Sequence, residues 1–229
     1  MVVGREVAYF NGEVVMEAAW KPKVSLVSIT SDAEELIERA YRNCFQSECV
    51  DDVEKRRELI RRCIKLGHLS PLEFAEAVFE VVCSRACTHQ LVRHRIASYA
   101  QESQRRVKVK DLDYIVVPPK VLESPEALEV FMDAVKEGLE AYERLIELGI
   151  RKEDARYVLP QCIKSKILVK MNFRQWRHFI ELRCDKTAQW EIREVAMRIL
   201  EILNLYAPSV FGDLYERYVN SGDSDGRAF

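Results

Sequence analysis

The chain has no apolar run approaching eighteen residues, so no segment reads as a membrane-crossing helix. Its first stretch, "MVVGREVAYFNGEVV", lacks the plan of a secretory leader, and a cytoplasmic location is expected. Glycine is scarce: there are 8 in 229 residues, and none forms GxGxxG or GxxxxGK[ST]. Neither a Rossmann dinucleotide turn nor a P-loop is written here, so any phosphate must be held by side chains. Seven cysteines, an odd number, are scattered from Cys44 to Cys184, which suits a reducing compartment better than a disulfide framework. Cys83, Cys87 and His89 are the only close grouping, and no second Cys/His pair completes a tetrahedral set. No metal is expected, and these cysteines read as small buried hydrophobes.

One-signed charge is also missing. With 35 Lys+Arg against 37 Asp+Glu, the net charge is −2, which is unlike a general nucleic-acid binder that is basic along a whole face. Against this balance, residues 93–106, "RHRIASYAQESQRR", gather four arginines and a histidine. Two such charges about 4 Å apart repel by roughly 4 kcal/mol at an effective dielectric near 20, so the cluster is either solvated or held by an anion. Arginine's planar fork can donate two parallel hydrogen bonds to a phosphate. At roughly 1.5–3 kcal/mol for each charge-assisted bond, three or four supply most of the roughly 8 kcal/mol that micromolar affinity requires. The cluster is large enough for a nucleotide.

At 48% hydrophobic the chain can bury a full core, and it shows no internal repeat or low-complexity linker. Residues 2–30 are expected to hold two β-rich segments, ending in "VSLVSI". Ser31-Asp32-Ala33-Glu34 fits a capping box opening a helix to about Cys44. A charged helix is expected from about Asp52 to Leu66, stopped by Gly67. "FAEAVFEVVC" alternates as a strand, with Ala75, Ala77, Phe79 and Val81 on one face, and a helix from about Ser84 leads to Arg93. "DYIVVP" is expected as a strand closed by Pro118 and Pro119. Ser124-Pro125 opens a long amphipathic helix that ends before Gly149, and a short helix carries Arg156. "CIKSKILVKM" reads as a strand, followed by helices at about 173–184 and 187–205. The sum is an α+β fold: a single helix-rich domain, residues 1–219, around an antiparallel or mixed sheet, with a loose tail at 220–229.

Four ordered segments then resemble one family. Arg93-His94-Arg95, seven residues, then Ser103 with Arg105 is similar to the RHR(x7)S signature of the flavin-dependent thymidylate synthases. "GHLSPLEF" from Gly67 resembles that family's GHxSPxEH segment, "ARYVLP" from Ala155 its ARxxLP segment, and "NFRQWRHFIELRCDKTAQWEIR" from Asn172 its C-terminal block. The resemblance implies methylation of dUMP to dTMP, with methylenetetrahydrofolate giving the carbon, NADPH the reductant and FAD carrying the hydride. It also implies a homotetramer with active sites shared between subunits, and neither nucleic acid nor membrane as partner.

By the same resemblance His68, Ser70, Arg93, His94, Arg95, Gln101, Asn172, Arg174 and His178 are expected on the FAD side. Gln90, Leu91, Val92, Arg93, Gln101, Glu102, Ser103, Gln104, Arg105, Arg156 and Arg183 are expected around dUMP, Arg183 meeting the uracil ring as the catalytic residue. Arg174 and His178, four apart, share a helix face. Some positions depart from the family pattern: Leu72 stands where phenylalanine is common, Phe74 and Thr187 where histidine is, Arg106 where tyrosine is, and Ala100-Gln101 where some members have Asn-Glu.

The residues also suggest two other classes. Ser103 with His94 suggests a serine hydrolase, but there is no GxSxG elbow and no acid placed to orient the histidine. An RNA-binding surface around Tyr99 and the arginines lacks both the RRM aromatic pattern and a basic net charge. If Arg93 and Arg95 hold ligand phosphates, Ala at either weakens flavin or dUMP binding by about 1.5–3 kcal/mol, with thermal stability little changed. Calorimetric titration checks this, and undisturbed binding of both ligands would make the arginines merely solvated.

Overall fold

The computed structural model describes residues 7–10, 13–17, 21–44, 46–109 and 114–220. Strands β1 (Val7–Phe10) and β2 (Glu13–Glu17) pair antiparallel, with a register shift between Ala8 and Tyr9. β3 (Lys23–Ile29) leads into helices α1 (Ala33–Asn43) and α2 (Val53–Lys65). A 3₁₀ turn (Ser70–Phe74), β4 (Glu76–Ser84), α3 (Arg85–Leu91) and β5 (Ser98–Gln101) come next. The short α4 (Pro119–Leu122) precedes the long α5 (Pro125–Glu147), the one-turn α6 (Lys152–Ala155) and a 3₁₀ turn at Arg156–Val158. β6 (Lys164–Asn172), α7 (Phe173–Arg183), α8 (Trp190–Tyr206), α9 (Pro208–Tyr215) and a π-helical turn (Glu216–Asn220) complete the order. The fold is α+β and helix-rich, with a four-stranded antiparallel sheet in the order β3-β4-β6-β5. Among the described residues no helix is long and apolar enough to cross a membrane.

The chain divides into two compact units, with boundaries after residues 21, 81, 89, 100 and 166. Unit one holds residues 1–21, 82–89 and 101–166. Its core gathers Val109, Ile115, Val117, Met132, Val135, Tyr142, Ala155 and Ile163, packed under the apolar face of α5. α5 forms where expected: the Ser124 hydroxyl accepts from the Ala127 N–H, Pro125 occupies the first turn, and Gly149 takes φ +83° after the last one. "DYIVVP" does not form the expected strand over its described part. Ile115 makes an isolated antiparallel bridge to Ile163 and the Val116 N–H reaches the Cys162 carbonyl at 2.8 Å. Pro118 and Pro119 then end the pairing because they carry no N–H, and α4 begins.

Unit two holds residues 22–81, 90–100 and 167–229. The alternation of β4 puts Ala77, Phe79 and Val81 inside, as expected, and Ile167, Val169 and Met171 of β6 are buried with the same period of two. α7 drives Phe173, Trp176, Phe179 and Ile180 into this core. Trp176 meets Phe79 and Phe179 edge-on at 5.2 and 5.6 Å between ring centres, and its indole N–H donates to the Ala77 carbonyl. The Phe173 N–H, donating to the Ala75 carbonyl at 2.8 Å, ties the start of α7 to the start of β4. Sequence periodicity stopped at about residue 205, whereas α9 continues the chain with Pro208 in its first turn and Phe211 packed on Phe173.

The capping box does not form. Asp32 lies in the left-handed region (φ 49°) with no side-chain bond to α1. Glu34 instead accepts from Arg57 Nε at 2.9 Å and the Ser209 N–H at 2.8 Å. A charged guanidinium and a distant backbone amide have taken the carboxylate that would have closed the box. α2 is capped conventionally, Asp52 accepting from the Glu54 and Lys55 N–H groups at 3.0 and 3.1 Å. The loose tail expected at 220–229 lies, beyond Asn220, outside the described residues. Asp52→Ala therefore costs about 1 kcal/mol in urea unfolding, whereas Asp32→Gly, suited to the positive φ and removing no cap bond, stays within about 0.5 kcal/mol of the parent.

Candidate active site

In unit two, the chain leaving α3 alternates between inside and outside. Leu91 is buried, Arg93 is exposed, His94 is 5% exposed and Arg95 is exposed again. Backbone turns from the Arg93 N–H to Gln90 O (3.3 Å) and from the His94 N–H to Leu91 O (3.2 Å) hold this geometry. The Tyr99 hydroxyl sits 2.8 Å from the carbonyl oxygens of both Leu91 and His94, bridging the turn from below. Burial raises the Tyr99 pKa to about 12, so the phenol keeps its proton for these acceptors.

His94 is the centre of a small cluster. Its ring meets Phe179 edge-on at 5.0 Å and lies 6.1 Å from the His178 ring. Arg183 Nε donates to His94 Nε2 at 3.0 Å, and Arg183 Nη2 lies 3.4 Å from Gln90 O. An imidazole that accepts at Nε2 is neutral, with its proton on Nδ1. Burial first, then the positive charge of Arg183 and the neighbouring His178, hold the His94 pKa down at about 4. The Gln90 side chain reaches Gln189 Oε1 at 3.4 Å, and that oxygen also caps α8. Val92, which follows Leu91 in the chain, is half-buried.

A cavity of about 510 Å³ opens beside this cluster, lined by Leu69, Glu73, Ile96, Asn172, Arg174, Gln175, Arg177, His178 and Glu181. Arg174, Arg177, His178 and Glu181 are spaced i, i+3, i+4 and i+7 along α7, so one helix face supplies the wall. The expected pairing of Arg174 and His178 on that face is observed. Asn172 also has a plain structural duty, its side chain capping α7 through the Gln175 N–H at 2.8 Å. Arg174 Nη1 pairs with Glu73 Oε1 at 2.6 Å. His68 and Ser70 are exposed beside the lining residues, and the His68 carbonyl accepts from the buried Tyr41 hydroxyl at 2.6 Å. Phe74, where the family pattern has histidine, is 64% exposed, and Leu72 is fully buried. Thr187 bonds Asp185 through both its N–H and its hydroxyl.

In unit one, the Gln101 side-chain amide donates to Thr88 Oγ1 and Ser165 Oγ, each at 3.0 Å, which fixes its orientation. Glu102 is locked to the start of β6: its N–H donates to Lys166 O at 2.8 Å and its carboxylate accepts from the Lys166 N–H. Ser103 Oγ accepts from the Arg105 N–H at 3.3 Å, and Gln104 is half-buried between them. Arg105 presents Nε and Nη2 to Glu153 Oε2 at 3.0 Å, while Arg151 holds Glu153 Oε1 at 2.7 Å. Arg156 donates through Nε to Glu153 O, so Arg105, Arg151 and Arg156 converge on one residue. Arg106 is exposed, and its carbonyl accepts from Lys152. Cys83 and Cys87 are buried and His89 is exposed.

Three residues were not anticipated. Arg85 opens α3 half-buried. Its pKa is lowered first by burial and then by Arg156, with Glu102 opposing, so it shares the charge environment of the unit-one arginines. Arg177 and Glu73 line the unit-two cavity. The i+3 spacing from Arg174 was the available signal for Arg177.

The family described as "Thymidylate synthase complementing protein" matches residues 25–209. The chain belongs to that family. It is 39% identical over 199 residues to a protein of Geobacter sulfurreducens named flavin-dependent thymidylate synthase, covering 83% of this chain and 86% of that one. A protein of the same name from Thermococcus onnurineus is 40% identical over 188 residues, covering 78% and 77%. Another, from Nitratidesulfovibrio vulgaris, is 39% identical over 211 residues, covering 83% and 86%. The matched span contains all four motif segments.

His94 gives a direct test. Its folded pKa of about 4 lies below the ordinary 6.5, so the unfolded chain protonates first as pH falls. The stability this neutral histidine contributes is complete above pH 6.5 and is lost between 6.5 and 4, by a few kcal/mol at most. NMR titration is expected to show His94 still neutral at pH 5.5, and a midpoint near 6.5 would contradict the buried acceptor role.

Proposed function

We propose that this chain is a flavin-dependent thymidylate synthase, converting dUMP to dTMP with methylenetetrahydrofolate as carbon donor and NADPH as reductant. The observation that carries the reading is the family match over residues 25–209 together with an intact RHR(x7)S signature, whose histidine is held by Arg183 in unit two. The relatives' shared name supports the reaction and the flavin. FAD is the cofactor, carried by a homotetramer whose subunits share their active sites, and an odd number of scattered cysteines, seven, suits a cytoplasmic setting.

The donor chemistry of the unit-two cavity fits a flavin nucleotide. Arg174, His178 and Asn172 offer donors along its wall beside Glu73 and Glu181, and a diphosphate demands such donors in a chain without a glycine-rich loop. Asn172, Arg174 and His178 would hold FAD there, with His68, Ser70, Arg93, His94 and Arg95 completing its surroundings. When bound, the flavin supplies hydride to the substrate. The chain's own residues bind and orient dUMP: Ser103, Arg105 and Arg156 take the phosphate, and Gln90, Leu91, Val92, Glu102 and Gln104 frame the nucleotide. The Gln101 amide is already aimed by Thr88 and Ser165, and by the family resemblance Gln101 would stand between the two ligands.

Arg183 performs the electrostatic work. A hydride adding to uracil leaves negative charge on the ring, and a permanent cation fixed in advance lowers the barrier to that charge. The neutral His94 acceptor fixes Arg183 Nε without adding a competing positive charge. Ser103 serves as a substrate ligand rather than a nucleophile: its hydroxyl accepts from the Arg105 N–H, and no activating base is in contact with it among the described residues.

Anaerobic incubation with dUMP, methylenetetrahydrofolate, FAD and NADPH is expected to yield dTMP. A colourless monomer indifferent to FAD would overturn the assignment. At saturating dUMP, Arg183→Ala loses roughly 10²-fold or more in rate, whereas Ser103→Ala weakens affinity and keeps turnover. A dead Ser103→Ala that binds dUMP normally, beside an active Arg183→Ala, would reverse these roles.

A further inference from the structure

The unit-two cavity contains four charged side chains from α7 and the Ser70–Phe74 turn: Arg174, Arg177, Glu73 and Glu181. They differ sharply in how they are held. Arg177 is almost buried, at 7% side-chain exposure, and belongs to the scaffold. Its guanidinium forks onto Asp213 with both bonds at 2.7 Å and also meets the Val210 carbonyl. Arg174 is half-exposed, at 50%, and the hydrogen bond recorded for its guanidinium among the described residues runs to Glu73 alone, through Nη1. The guanidinium has five N–H donors, so this bond orients the group and leaves the other donors for a ligand.

We propose that Glu73 is a positioning residue that fixes the Arg174 guanidinium in the cavity so that its remaining donors meet the anionic part of the flavin nucleotide. The proposal rests on the flavin reading of this cavity. Glu73 comes from the turn that follows "GHLSP", Arg174 from the first turn of α7, and the pair joins segments 101 residues apart. An ion pair whose partners are both about half-exposed adds little to folding stability, so a stabilising duty does not account for it. What it does is remove rotamer freedom from a long side chain before the ligand arrives, and preorganisation of that kind raises affinity. The two properties of Glu73 act in opposite directions. Its oxygen aims Arg174, while its negative charge repels an anion.

That opposition supplies the test. The full-length protein, freed of cofactor, is titrated with FAD and followed by flavin fluorescence, using Glu73→Ala, Glu73→Gln, Arg174→Ala and the Glu73→Ala/Arg174→Ala double variant. Thermal melts confirm that each is folded. Glu73→Ala is expected to raise the Kd about five- to tenfold, and the double variant should be no worse than Arg174→Ala, since coupled residues do not add. Glu73→Gln keeps an acceptor oxygen and drops the charge, so it should bind FAD at least as well as the parent. If Arg174→Ala weakens FAD but Glu73→Ala does not, or if their effects add, the positioning role is wrong while the flavin site stands. If Arg174→Ala itself leaves FAD binding unchanged, the flavin reading of this cavity fails and the proposal fails with it.

Discussion

The hydrogen bond from Arg183 to His94 sets the terms for the rest of unit two. It exists only while the imidazole is neutral, and the imidazole is neutral because it is buried against Phe179 beside a cation. Burying His94 forces its two neighbours outward, since a chain turning off α3 cannot send consecutive side chains the same way. Arg93 and Arg95 thus reach solvent because a histidine does not. The three-residue RHR motif is an alternation in which the middle residue anchors and the outer two are presented.

α7 connects that anchor to the core. Phe173, Trp176, Phe179 and Ile180 are buried, and Arg174, His178 and Glu181 are exposed on the cavity side. Phe179 takes part in both arrangements, touching Trp176 on one side and His94 on the other. A change in core packing under α7 therefore moves the ring on which His94 rests, and with it the acceptor that aims Arg183. Site geometry and core stability are coupled through one phenylalanine.

Much of this was legible in the residues. The alternation of β4, the α2 cap at Asp52, the Ser124-Pro125 start of α5 and the shared face of Arg174 and His178 all follow from period and local chemistry. What was not legible depended on partners distant in sequence. Glu34 left its expected box for Arg57 and Ser209, 23 and 175 residues away. "DYIVVP" has the composition of a strand, but it found a single bridge partner before two prolines ended the ladder. Arg85 lies outside every motif segment, and only the fold brings it near Arg156.

A chain of net charge −2 that binds anions without a glycine loop must also fold when no anion is present, and its acids make that possible. In unit one, Glu153 holds Arg105 and Arg151 together, and in unit two Glu73 holds Arg174 and Asp213 holds Arg177. Burial separates these pairs by duty. Breaking the sheltered Arg177 fork would strand a charge with little water to solvate it, so that arginine is committed to the scaffold. The half-exposed Arg174 and the exposed Arg105 can turn toward a phosphate at small cost, because water already shares their partners. Arg174 and Arg177 are one helical turn apart and identical in kind. Which of them can serve a ligand is decided by the solvent around the pair.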